Sequence, residues 1–164
     1  MASAFKEFTL ALGLLASDPS AIGPKLGLTG YVWHVADLAR CGRSKEAECL
    51  LLSSKWDWKR PQAYTVSWLG GQSSDAMLLG VYLDNQDRSD DDRVCFMVVA
   101  RAKSGEILGA EFLSYEVLSR HSVREKVALS LGNRGNAVRL EIGSKQCDET
   151  YRKDIDAARR VLGQ

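Results

Sequence analysis

Between Ala63 and Leu113, four runs rich in β-branched, aromatic and aliphatic residues follow one another closely, at 63–69, 77–83, 94–102 and 107–113. Gly70-Gly71, the segment Asp84–Asp92 and Lys103-Ser104-Gly105-Glu106 separate them. Short β-prone runs punctuated by glycine and polar residues read as strands, and two such runs around a brief Ser-Gly turn read as a hairpin. The middle of the chain is therefore expected to form a mostly antiparallel sheet, and the flanks have to cover it.

The flanks carry helical periodicity. Phe5, Phe8, Leu12 and Leu15 share one helical face, so an amphipathic helix is expected over 3–16, ended by Asp18-Pro19. The stretch Phe8–Ala16 has the length of a signal-peptide core, but Glu7 offsets Lys6 and removes the positive leader, which favours the helix. Val32, Val35, Leu38, Ala39, Cys49 and Leu52 fit the same period, giving a second helix from about Gly30 to Ser53 with a break at Cys41-Gly42. Residues 114–131 admit two readings. Val117, Leu118, His121, Ala128 and Leu131 suit a helix closed by Gly132, while Val127, Leu129 and Leu131 alternate and could pair with Val138, Leu140 and Ile142. The helix is favoured, with a strand only after Asn136. At the end of the chain, Tyr151, Ile155, Ala158 and Leu162 define a helix over 148–162. Acidic residues in its first turn and Arg159 and Arg160 in its last suit the helix dipole.

The expected fold class is α+β. One domain over 1–164 holds an antiparallel sheet of about four to five strands (63–113 plus 137–142), covered by N-terminal and C-terminal helices. Region 1–53 is expected to be mainly helical and 114–164 mixed. With 45% hydrophobic and 26% charged residues the chain reads as an ordinary soluble domain. No apolar run reaches the roughly eighteen residues of a membrane helix, so no membrane partner is expected.

Twenty-two basic residues nearly cancel 21 acidic ones, which argues against a protein dominated by phosphate contacts. Charge is uneven locally. Asp84–Asp92 holds five aspartates, whereas Leu118–Lys145 holds Arg120, Arg124, Lys126, Arg134, Arg139 and Lys145 against Glu125 and Glu141. The aspartates lack the spacing and central glycine of an EF-hand, so a solvated loop is expected and no metal or cofactor is assigned. The four cysteines show no C-x-x-C pair and no zinc-ligand spacing to histidine, and Cys95 lies inside an apolar run. All four are expected as free thiols, and the protein as cytoplasmic.

Three patterns offer recognition chemistry. Lys55-Trp56-Asp57-Trp58-Lys59-Arg60 interleaves indoles with cations, which suits an interface or stacked bases. The candidate binding residues are Trp56, Trp58, Lys59 and Arg60, with Arg120, Arg124 and Arg134 from the basic stretch. Residues 22–36 have the apolar-Gly-apolar-Thr pattern of a helix-turn-helix, but Pro24 falls inside its first helix. The expected order of elements resembles that of PD-(D/E)XK nucleases, which need paired carboxylates and a lysine around a metal. The matching strand offers Arg101-Ala102-Lys103 instead, and Asp57-Trp58-Lys59 precedes the sheet. Neither His34 nor His121 has a nucleophile and carboxylate at triad spacing, and His121 is expected on the apolar face of its helix. The leading expectation is a small non-catalytic module, of adaptor or inhibitor type, acting through protein–protein contact. The alternatives are nucleic-acid binding through 55–60 and 120–145, and a divergent metal-dependent nuclease.

Overall fold

The computed structural model describes residues 21, 28–42, 48–57, 60–70, 75–132 and 136–161. Among these residues eight strands and one α-helix are formed: β1 (Val32–Asp37), β2 (Cys49–Asp57), β3 (Gln62–Trp68), β4 (Ala76–Asn85), β5 (Asp92–Arg101), β6 (Ile107–Val117), β7 (His121–Ser130), β8 (Arg139–Gln146) and α1 (Tyr151–Val161). They build two four-stranded antiparallel sheets, β1-β8-β5-β6 and β2-β3-β4-β7. The fold is a β-sandwich with a terminal helix, which overturns the α+β expectation of one sheet between two helical ends.

The helix expected over 30–53 is β1, a short 3-10 turn at Leu38–Cys41 and β2. Its helical spacing has a strand origin. A register shift between Leu50 and Leu52 interrupts the two-residue alternation of β2, and β1 is buried on both faces, with Trp33 and Ala36 facing different cores. The helix favoured over 114–131 is also strand. β6 runs to Val117, a tight turn follows, and β7 pairs with β4 rather than with β8. The C-terminal helix is present as Tyr151–Val161. The helix expected over 3–16 lies outside the described residues.

Two cores explain the sequence pattern. Between the sheets pack Tyr64, Met77, Leu79, Leu83, Phe96, Leu129, Leu140 and Ile142. A second core lies on the outer face of the first sheet, where Trp33, Cys95, Met97 and Val99 meet Leu28, Tyr31 and the helix residues Ala157 and Ala158. β4 alternates buried and half-buried because one of its faces is open, whereas Val94–Ala100 of β5 is buried at every position. Two glycines permit close approach. A Cβ on Gly143 would stand 2.8 Å from the Trp33 indole, and one on Gly109 would stand 2.0 Å from the Ser130 carbonyl oxygen, where β6 of one sheet meets β7 of the other.

A buried ion pair fixes α1. Lys145 Nζ on β8 lies 2.8 Å from Asp154 Oδ2, with both side chains almost fully enclosed. The Tyr31 hydroxyl donates to the same carboxylate at 3.0 Å, and the ammonium lies 4.8 Å from the Tyr31 ring centre. Burial, together with Asp154, raises the Tyr31 phenol well above its ordinary range.

The four cysteines form two disulfides, Cys41–Cys49 and Cys95–Cys147, which overturns the expectation of free thiols. Residence in an apolar strand did not keep Cys95 reduced, because the chain after β8 brings Cys147 beside it. No helix among the described residues is long and apolar enough to cross a membrane.

Candidate recognition surface

The two sheets differ in what lies on their outer faces. The first is roofed by α1 and by Leu28 and Tyr31. Over the second, no described helix packs. Strand register sets its outward side chains in transverse rows. Ser53, Thr65, Tyr82 and Arg124 make one row across β2, β3, β4 and β7, and Leu50, Ser67, Gly80 and Lys126 make the next. Rows two residues apart are separated by about 7 Å.

A groove of about 390 Å³ follows these rows, with Thr65, Ser67, Leu69, Leu78, Gly80, Tyr82, Arg124 and Lys126 along it and Glu48 and Glu125 also on its lining. Gly80 makes the dent. Where neighbouring positions carry side chains it has none, and the Leu69 methyl would sit 3.0 Å from an added Cβ. The Arg124 guanidinium lies 5.5 Å from the Tyr82 ring centre, a cation–π arrangement that holds the cation in place over the sheet. Leu50 is 59% exposed at the far end of the Gly80 row.

A second hollow, bordered by Gln86, Arg88 and Arg120, lies at the end of the same sheet. Arg120 occupies the third position of the turn Leu118–His121, closed by His121 N–H donating to Leu118 O at 3.0 Å. Its φ of 59° is the left-handed conformation that favours glycine or asparagine. The turn is held by Asp87, whose carbonyl accepts from Arg120 N at 3.1 Å and from Ser119 Oγ at 2.9 Å. None of Arg88, Arg120, Arg124 and Lys126 forms an ion pair among the described residues.

The aspartate segment is engaged internally. Asp84 accepts from Gln86, Asp87 from Ser89 and the Asp90 N–H, Asp90 from Arg60, and Asp91 from Ser119 N–H. Asp92 accepts from the Trp56 indole N–H at 2.6 Å and from Gln146 Nε2 at 2.7 Å. The Ser89 backbone bond leads the effects that hold Asp87 below the usual carboxylate range. Buried Asn85 uses its full capacity, donating to Asp90 O and Val117 O while accepting from Gln62 Nε2 and Asp87 N. Among the described residues no three His, Cys, Asp or Glu side chains are grouped to hold a metal.

The sequence candidates are not brought together at one place. Trp56 is 6% exposed and packs between the sheets, and Arg60 pairs with Asp57 and Asp90. Trp58, Lys59 and Arg134 lie outside the described residues. Arg124 stands on the outer face of the second sheet and Arg120 at its end. The second helix of the helix-turn-helix pattern is instead strand β1, and residues 22–27 lie outside the described residues. Arg101, where the nuclease pattern needs a carboxylate, lies 2.7 Å from Glu141 Oε1, with Arg139 at 3.4 Å from the same oxygen.

His121 is exposed at the start of β7, its Nδ1 within 2.7 Å of Ser119 O, not on a helix face. His34 Nε2 lies 3.1 Å from Ser54 Oγ, and Ser144 Oγ donates to the Tyr64 hydroxyl at 3.0 Å. Burial pushes Tyr64 up to about 12. Ser54 is only 8% exposed, so these groups act as polar ties between sheets. Sequence spacing could not reveal them, since they come from four different strands. Tyr82 and Gly80 were likewise missed, because their place beside Arg124 and Lys126 depends on the pairing of β4 with β7.

No protein-family model matches this chain, and a search of curated proteins found no match to it.

Proposed function

We propose that the protein is a non-catalytic binding module that docks a protein partner on the outer face of its second sheet. One observation carries this reading. Of the two outer sheet faces, one is sealed by α1, while the other carries a groove bordered by Arg124 and Lys126, cations that no described carboxylate pairs. Charges unpaired among the described residues, beside a surface that no described helix covers, favour encounter and register with a complementary partner. The two disulfides support residence in an oxidising compartment rather than the cytoplasm.

The test is selection from a displayed peptide library. The wild type is expected to enrich binders that the variant Arg124→Glu/Lys126→Glu does not retain, with about a tenfold loss of affinity. Binders that the variant retains undiminished would show that docking lies elsewhere. Sub-micromolar DNA binding at physiological salt, lost in the same variant, would replace this reading with nucleic-acid recognition.

A further inference from the structure

We propose that the groove on the second sheet selects a partner segment of two-part chemistry: acidic side chains set against β7 and one apolar side chain seated in the dent at Gly80. This rests on the docking reading above and names what docks.

The acidic requirement comes from β7. Arg124 and Lys126 are two residues apart on one strand and project from the same face, in adjacent rows. The separation of about 7 Å equals the repeat of same-side residues along an extended peptide. A segment running beside β7 therefore presents carboxylates at i and i+2 in step with the two cations. The stack on Tyr82 holds Arg124 ready, which lowers the ordering cost of binding. Glu48 on the groove lining repels a ligand whose carboxylates are out of step, and so helps to set register.

The apolar requirement comes from the Gly80 row. From β2 to β7 it reads Leu50, Ser67, Gly80, Lys126, so its charge lies at one end and an exposed leucine at the other. Leu69 and Leu78 flank the dent. Glycine is not demanded here by backbone conformation, since Gly80 is not among the positive-φ glycines. Its missing side chain instead keeps the floor of the groove low. An apolar side chain lowered into it is removed from water against leucine surface.

The test uses three synthetic extended peptides, titrated by fluorescence anisotropy against the intact, oxidised protein. The first carries Glu at i and i+2 with a Leu, the second replaces both Glu by Gln, and the third replaces the Leu by Ser. The first is expected to bind at least tenfold more tightly than either of the others, and its binding alone should weaken steeply with salt. Gly80→Ala fills the dent while meeting only the flexible end of Leu69. It should keep the wild-type unfolding midpoint within error and abolish the advantage of Leu over Ser, leaving the advantage of Glu over Gln in place. Arg124→Gln/Lys126→Gln should do the converse. Equal binding of all three peptides to the wild type, or an undiminished Leu advantage in a folded Gly80→Ala protein, overturns the inference while the docking reading stands. Library binders that depend on Arg124 and Lys126 yet carry neither acid nor apolar anchor would overturn it too. Failure of the library selection itself would count against the docking reading.

Discussion

Replacing Lys145 with Met should destabilise the protein more than replacing its partner, and the structure says why. Lys145 and Asp154 are 5% and 6% exposed, so neither charge can be compensated by water. Without the ammonium, Asp154 retains one described bond, from the Tyr31 hydroxyl. Leaving a buried carboxylate without its counter-charge costs about 3–5 kcal/mol. The reverse change, Asp154→Asn, leaves Lys145 with Asp148 at 3.2 Å and the Thr150 hydroxyl at 3.2 Å, so it should cost less, about 1–3 kcal/mol. The double change Lys145→Met/Asp154→Leu removes both charges and keeps apolar volume, and should fall within about 1–2 kcal/mol of wild type. Urea and thermal unfolding followed by tryptophan fluorescence measure all three. The expected pattern is strongly non-additive, with Lys145→Met lowering the thermal midpoint by about 10 °C and the double variant recovering most of it. Additive single effects would refute the clamp, as would a Lys145→Met cost below about 1 kcal/mol.

The disulfides and one half-buried carboxylate give three more expectations. Denatured, non-reduced protein should titrate no free thiol. Removing Cys95–Cys147, which spans 52 residues, should cost about 4 kcal/mol, against about 2.5 kcal/mol for Cys41–Cys49, which spans eight, as read by the unfolding midpoints of the paired serine variants. Desolvation raises the Glu111 carboxyl above its usual range, so its charged form is disfavoured by folding. Its contribution is fully favourable below the unfolded pKa and is lost as pH rises through the folded one. Glu111→Gln should therefore raise the unfolding midpoint at neutral pH and leave it unchanged near about pH 3. A gain that persists at acid pH would assign the effect to packing.

Where the strands were legible, the reason was local. β3 to β6 are bounded by turn residues, and the unbroken run in β5 against the alternation in β4 already encodes which strand has two covered faces. α1 was legible because its apolar face and its end charges agree. β1 and β2 were misread because burial on two faces and a register shift both imitate helical spacing. The indole–cation segment has the same origin. Exposed Lys55 and buried Trp56 are neighbours on a strand, so the alternation that looked like a binding motif is the strand's own in-and-out period. The disulfides were hidden because sequence spacing does not specify which strands bring thiols together. At the candidate site, Arg120 and Arg124 stood out by charge, while the groove that gives Arg124 its setting is made by residues from the other strands.

The position of β8 between β1 and β5 governs the order in which the molecule can assemble. β2, β3 and β4 can pair as they leave the ribosome, each with the strand just made. β1 cannot, since Val32 waits for Ser144. Until β8 is synthesised, Trp33 has no Gly143 to rest on, β5 has only β6 beside it, and the outer face of β5 and β6 has no α1 above it. The β2–β4 meander is thus the early part of the molecule, β7 completes the second sheet after the β5–β6 hairpin is made, and the first sheet is completed last, when β8 and α1 are free to dock. Joining Cys95 to Cys147, in which an external oxidant takes the two electrons of the thiols, belongs to that late stage, since Cys147 follows β8 in the chain.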